Sequence, residues 1–282
     1  MFEEFMKRLS PYEQLAFVTI RIECDLSTGG VSTGTGFFYR FAENEFTHVP
    51  TIVTNKHVIK NGTIGRILFT LQKANGEPDI GNTHSWIITD FEKAWIPHPD
   101  PSIDLCVMPI HQLLALAQAQ GKQFVFTTLA PDLVPSDDDI KDFVGMEKII
   151  MIGYPNGIWD QKNNFPVFRS GITATHYRYD WNGKPEFLID AACFPGSSGS
   201  PVLVCDIGQV HTRSGVQIGN TRIKLLGVLY AGPQHQVDGS VEIVPIPISN
   251  QLITTSRIPN NLGMVIKSRV LNDFDLMFRG LP

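Results

Sequence analysis

Two textures alternate along the chain. Near the start, "FEEFMKRL" sets apolar side chains at Phe2, Phe5, Met6 and Leu9, the spacing of one helix face, and Ser10-Pro11 ends that run. Short apolar runs then take over: "LAFVTIRIEC", "GTGFFYRF", "PTIVTNKHVI", "RILFTLQ", "HSWIITDF" and "DLCVMPI". Gly, Asn, Asp and Pro clusters separate them at close intervals, which predicts antiparallel β structure, a meander or barrel, rather than βαβ units. From Ile110 to Lys141 the pattern changes, with one short helix in "HQLLALAQAQGKQ" and an acidic loop in "PDLVPSDDDIKD". A second strand series follows: "KIIMIGYP", "VFRSGITATHY", "EFLIDAAC", "SPVLVCD", "KLLGVLYAG" and "VEIVPIP". "ISNQLITTSRI" is read as a closing helix, and the tail from Asn260 fits neither period. The expected organisation is an N-terminal helix (1–14), a first β-barrel (15–110), a linker (111–143), a second β-barrel (144–250) and a C-terminal extension (251–282).

Composition narrows the function. The 282 residues carry a net charge of −5, with 43% hydrophobic and 18% charged residues, the balance of a globular protein. Without a Lys/Arg surplus to neutralise phosphates, neither nucleic acid nor an anionic membrane is an expected partner. The N-terminus is acidic and has no apolar run of signal-peptide length, and no segment reaches the roughly 18 apolar residues of a membrane span. The expected location is therefore cytoplasmic. Cys24, Cys106, Cys193 and Cys205 are scattered and form no CxxC pair, so no metal or other cofactor is expected. Reduced core thiols are the first reading, with one or two bridges left open.

The candidate chemistry lies in "DAACFPGSSGSPVLV", Asp190 to Val204. A serine hydroxyl becomes a nucleophile only beside a base, which in turn needs an orienting group, and the developing oxyanion needs fixed donors. Gly196 and Gly199 flank Ser198 and permit a tight turn with little bulk above it, which makes the N–H groups of Gly196 and Ser198 candidate oxyanion donors. In "TIVTNKHVI" an apolar run delivers His57 among small polar residues, and in "DPSIDLCVMPI" Asp104 stands just before the run Leu105 to Met108. A carboxylate there would fix the imidazole tautomer.

The order His, Asp, Ser, each in its own context, resembles the trypsin/chymotrypsin-like serine peptidases, and more closely their bacterial HtrA-like branch. "GTGFFYR", "IVTNKHVI", "DLCVMPI", "IIMIGYPNG", "FRSGITA", "IDAACFPGSSGSPVLV" and "KLLGVLYAG" match that branch's motifs in order across Thr19 to Pro247. The resemblance implies an all-β chymotrypsin-like fold of two six-stranded antiparallel barrels, with short N- and C-terminal helices. It makes Ser198 the nucleophile, His57 the general base and acid, Asp104 its orienting group, and Gly196 and Ser198 the oxyanion donors. Ser197 and Ser200 are then supports of the turn. Ala192, six residues before the nucleophile, falls at the base of the specificity pocket beside Cys193, with Leu229, Tyr230 and Ala231 on the facing strand. Those residues are apolar, and a buried substrate cation would lack a partner, so a small or apolar residue before the scissile bond is expected.

Four departures stand out. Ser197 replaces the usual Asp or Asn before the nucleophile, Ser200 replaces the commoner Gly, no trypsin-type activation site precedes the first strand, and the 35 residues after Pro247 are too few for a PDZ domain. Control would then come from an activating or restraining protein partner beyond the peptide or protein substrate. Two alternatives compete: a protease-fold binding module with a misaligned triad, and an esterase. For the esterase, "GSSGS" fits G-x-S-x-G while the order of partners does not.

Overall fold

The computed structural model describes residues 2–232, 234–241, 252–259 and 261–280. Where one helix was expected, two short ones come first, α1 (Phe2–Met6) and α2 (Pro11–Leu15): α1 ends before Leu9, and Ser10-Pro11 starts α2 rather than ending α1. A capping box starts α2: the Ser10 hydroxyl accepts from the Glu13 N–H at 3.3 Å, and the Glu13 carboxylate accepts from the Ser10 N–H at 2.7 Å.

Strand alternation then builds the first lobe. In β1 (Thr19–Leu26), Ile20, Ile22 and Cys24 are buried, while Arg21 and Glu23 point outward and pair at 2.6 Å. β2 (Val31–Phe41) is buried on both faces from Gly34 to Tyr39. Phe38 joins the first lobe's own core, while Phe37, Tyr39 and Phe41, on the opposite face, join the cluster between the lobes. After β3 (Val49–Thr54), the one-turn helix α3 (Lys56–Ile59), β4 (Gly62–Gln72), β5 (Pro78–Thr89), β6 (Ile96–Pro97), β7 (Cys106–Pro109), α4 (His111–Ala119) and β8 (Phe124–Val125), the sheet order is β5-β4-β1-β2-β3-β7-β6, with β8 on β4. The lobe thus has eight strands rather than six. The additions β6 and β8 are two residues each, too short to leave an alternating run in the sequence.

The second lobe is a closed six-stranded barrel in the order β10-β11-β16-β13-β12-β9. Its strands are β9 (Lys148–Gly153), β10 (Val167–Thr173), β11 (Glu186–Asp190), β12 (Pro201–Thr212), β13 (Gly215–Ala231) and β16 (Leu262–Lys267). Three expectations need correction here. The acidic loop is in part a helix, α5 (Asp137–Asp142), because Ser136 and Asp139 form a capping box. "ISNQLITTSRI" is not a helix: β15 (Leu252–Pro259) pairs with β14 (Gln234–Val241) as a separate ribbon, and its β-branched Ile253, Thr254 and Thr255 suit a strand. The segment 251–282 supplies the barrel's last strand, β16, rather than an appendage. Beyond Val241, the run "VEIVPIP" lies outside the described residues.

The C-terminal helix α6 (Leu271–Arg279) is the piece the sequence left open. It drives Leu271, Phe274 and Phe278 into the interlobe cluster, with Phe274 and Phe278 5.9 and 5.4 Å from the Phe41 ring. Each such aromatic contributes about 1.5–3 kcal/mol by burial. The helix therefore helps hold the two lobes together, and with them the site between.

All four cysteines are free and buried, and burial pushes the Cys24, Cys193 and Cys205 thiols up to about 11. We expect no native reaction with Ellman's reagent, full reaction of the four thiols in denaturant, and a melting temperature indifferent to dithiothreitol. A reductant-sensitive melting temperature would contradict this arrangement.

Candidate active site

β3 ends at Thr54, which is paired with Cys106 at the entry of antiparallel β7. Antiparallel pairing puts the exit of one strand beside the entry of the next. The residues just past β3 and just before β7 are therefore neighbours, although 47 positions separate them. His57, in the first turn of α3, and Asp104 meet there. The His57 Nδ1 to Asp104 Oδ2 distance is 2.5 Å, and the His57 backbone N–H donates to Oδ1 at 3.1 Å. The buried Asn55 amide donates to the Asp104 carbonyl at 2.8 Å, fixing the backbone behind the carboxylate. With Nδ1–H on Asp104, the neutral ring keeps Nε2 as an acceptor, and the side chain is 46% exposed, open to substrate.

The serine comes from the opposite lobe. Ser198 sits on the turn before β12, where Gly196 and Gly199 both have φ of +86°. The turn uses up most of its own hydrogen-bonding groups. The Ser197 N–H donates to the Phe194 carbonyl at 3.0 Å, Gly199 N–H to Leu229 at 2.8 Å, and Ser200 N–H to Ser197 at 3.0 Å. The N–H groups of Gly196 and Ser198 have no acceptor among the described residues. These are the two donors expected from the sequence. The Ser198 hydroxyl donates to the Tyr230 carbonyl at 3.5 Å, and among the described residues it shares no hydrogen bond with His57. Catalytic hydrogen bonds are commonly long or unmade before substrate arrives.

Its two neighbours behave differently. Ser197 is buried and its hydroxyl accepts from the Phe194 N–H at 3.4 Å, so it does support the turn. Ser200 supports it through the backbone alone, by accepting from the Leu229 N–H at 3.0 Å. Its buried hydroxyl has no partner among the described residues.

Of the residues expected at the specificity pocket, Cys193 and Leu229 are buried, while Ala192, Tyr230 and Ala231 are half-buried. The Tyr230 hydroxyl lies 3.9 Å from the Met264 sulfur and is held well above the usual phenol range, first by burial and then by the Glu186 carboxyl. Sequence reasoning missed Gly263 on β16. A Cβ there would stand 2.7 Å from both the Cys193 sulfur and Leu229 Cδ1, so the glycine lets β16 lie close against this wall. It also missed Thr35, which binds the serine turn from the first lobe: its N–H donates to the Ser198 carbonyl at 2.9 Å and its hydroxyl to the Gly196 carbonyl at the same distance. The "GTGFF" motif was read only as a family match, and nothing in it marks a partner 161 positions away. Among the described residues no group of His, Cys, Asp and Glu is placed to hold a metal ion.

Comparison with known proteins bears on this arrangement. The family model of the trypsin-like peptidase domain matches residues 34–211. Among solved structures, the active form of the Rv3671c protease from M. tuberculosis is 14% identical over 97% of this chain and 88% of its own, with a TM-score of 0.45. The HtrA-type protease AlgW with a tripeptide is 15% identical over 94% of this chain and 60% of its own (TM-score 0.47), and Deg5 is 18% identical over 82% and 87% (TM-score 0.44). No curated protein sequence matches. The domain match spans more than half of the chain and includes His57, Asp104 and Ser198 in that order, and the chain belongs to the trypsin-like peptidase family.

Proposed function

We propose that this serine protease cleaves peptide bonds through an acyl-enzyme on Ser198. The observation that carries the reading is the pairing of the His57 imidazole with Asp104 from one lobe, opposite a serine turn in the other with two unoccupied N–H donors. In the first half-reaction Ser198 Oγ attacks the scissile carbonyl while His57 Nε2 takes its proton. The resulting oxyanion accepts from Gly196 and Ser198 N–H, and the tetrahedral adduct collapses as His57 protonates the leaving amine. Water, deprotonated by the same imidazole, then releases the acyl group. Asp104 stays ionised and holds the ring.

Cys193, Leu229 and Ala192 support an apolar specificity pocket, with Ala231 and the Tyr230 backbone as its facing strand. A substrate Lys or Arg there would lose several kcal/mol of hydration without a partner. A second reading, a binding module that keeps the protease fold, draws on the Ser198 hydroxyl being turned toward the Tyr230 carbonyl rather than His57. A fluorophosphonate probe with peptide mapping separates the two. Peptidase action places the phosphonyl mass on the Ser198 peptide, and peptides with Ala, Val, Leu or Met before the scissile bond turn over at least about tenfold faster than Arg or Glu peptides. Tight peptide binding without labelling favours the binding module, and faster cleavage after Arg overturns the pocket.

A further inference from the structure

The serine turn is held in place from the other lobe, by a residue that touches neither the nucleophile's hydroxyl nor the imidazole. Thr35 lies on β2 and is fully buried. The β2–β3 ladder runs only from Phe37 paired with Val53 onward, because β3 turns away at Thr54 into the helix that carries His57. The main-chain groups of Thr35 are thereby released from the ladder. The Thr54 hydroxyl takes the Thr35 carbonyl at 2.7 Å, and the Thr35 N–H reaches the Ser198 carbonyl at 2.9 Å. The Thr35 hydroxyl completes the link, donating to the Gly196 carbonyl at 2.9 Å and accepting from the Tyr154 N–H at 3.1 Å.

The consequence follows from peptide planarity. In a trans peptide the N–H of one residue points opposite to the carbonyl of the residue before it. The donor N–H of Gly196 is set by the Pro195 carbonyl, which accepts from Asn156 N–H at 2.5 Å, and that of Ser198 by the Ser197 carbonyl, which accepts from Ser200 N–H. The planes that follow each donor, Gly196–Ser197 and Ser198–Gly199, are both tied to Thr35, one through its hydroxyl and one through its N–H. If either plane rotated, the donor amide next to it would turn away from the reacting carbonyl. We infer that Thr35 is a positioning residue for the oxyanion site: it holds the Gly196 and Ser198 amides in the orientation that binds the transition state. This rests on the peptidase reading above, and it adds a cause for the unoccupied donors.

The test is Thr35→Val, which keeps shape and backbone but removes the hydroxyl, alongside Thr35→Ser, which keeps the hydroxyl. An oxyanion donor removed outright costs about 10² to 10³ in kcat, and one left in place but loosened should cost less. We expect Thr35→Val to lose about 10- to 100-fold in kcat, with KM within about twofold, and Thr35→Ser to recover to within about threefold of wild type. The affinity of a peptide boronic acid, whose tetrahedral oxygen occupies the oxyanion site, should fall in parallel with kcat, while that of an uncleaved product peptide should not. A merely structural role for Thr35 would weaken both ligands alike. Should Thr35→Val fail to fold, Thr35→Cys, of similar volume with a weak donor, carries the same comparison. A wild-type kcat in either folded variant, or a Ser variant no better than Val, overturns the proposal. A wild type inert to peptides and to the fluorophosphonate fells the peptidase reading and this inference together, whereas an active wild type with an equally active Thr35→Val fells this inference alone.

Discussion

Ser198→Ala is expected to lower kcat by about 10⁴ to 10⁶ while leaving the melting temperature within a degree or two of wild type. The hydroxyl makes a single long hydrogen bond, 3.5 Å to the Tyr230 carbonyl, so little of the fold depends on it. Neither neighbouring hydroxyl can substitute. Ser197 is buried and bound to the Phe194 N–H, and Ser200 is buried against Gly153, where an added Cβ would fall within van der Waals radii of its oxygen. Asp104→Asn should cost about 10⁴ through a different route. An amide NH₂ facing Nδ1 favours the tautomer with the proton on Nε2, and the ring can then no longer accept from serine. If the three groups act as the unit proposed above, the double variant should be scarcely slower than Ser198→Ala alone. Steady-state kinetics on one apolar peptide decide this. Activity above about 1% in Ser198→Ala, or losses that multiply in the double variant, would mean that the nucleophile lies elsewhere.

Much of this site was legible in the sequence because its chemistry is written in local context. The glycines around Ser198 and the apolar runs beside His57 and Asp104 mark strand ends, and strand ends are where side chains from different strands converge. The unoccupied amides of Gly196 and Ser198 follow from the same turn. What stayed hidden depends on contacts across the chain. The two-residue strands β6 and β8 exist only because a longer strand already offers them an edge, and no periodicity records that. The sixth strand of the second barrel was assigned to an extension because the β14–β15 ribbon separates it from β13. Thr35 was passed over for a related reason. Its value comes from a loop 161 positions away, and a threonine between two glycines on a strand carries no local sign of such a partner.

Gly199→Ala tests whether the seam between the lobes is as tight as these contacts require, and Gly30→Ala supplies its control. The two glycines share nearly the same left-handed backbone, φ +86° and +87°. Any L side chain there costs about 1–2 kcal/mol. Their surroundings differ. A Cβ on Gly30 meets nothing within 4 Å, whereas one on Gly199 would overlap the Thr35 carbonyl oxygen and stand 2.5 Å from the Thr54 hydroxyl. Overpacking adds about 1–3 kcal/mol, so Gly199→Ala should be destabilised by about 2–5 kcal/mol against about 1–2 for Gly30→Ala. For a chain of this size the difference amounts to several degrees of melting temperature, about 2–4 °C per kcal/mol. Activity should separate the pair further. Relief of the overlap has to move the serine turn away from β2, which breaks the Thr35 N–H to Ser198 carbonyl bond, and a displacement near 1 Å costs about 10² in rate. Gly30→Ala, in the β1–β2 turn, should keep wild-type kinetics. If both variants melted together and both turned over normally, the serine turn would be free to slide along the first lobe. The Thr35 contacts could not then be what aims its amides.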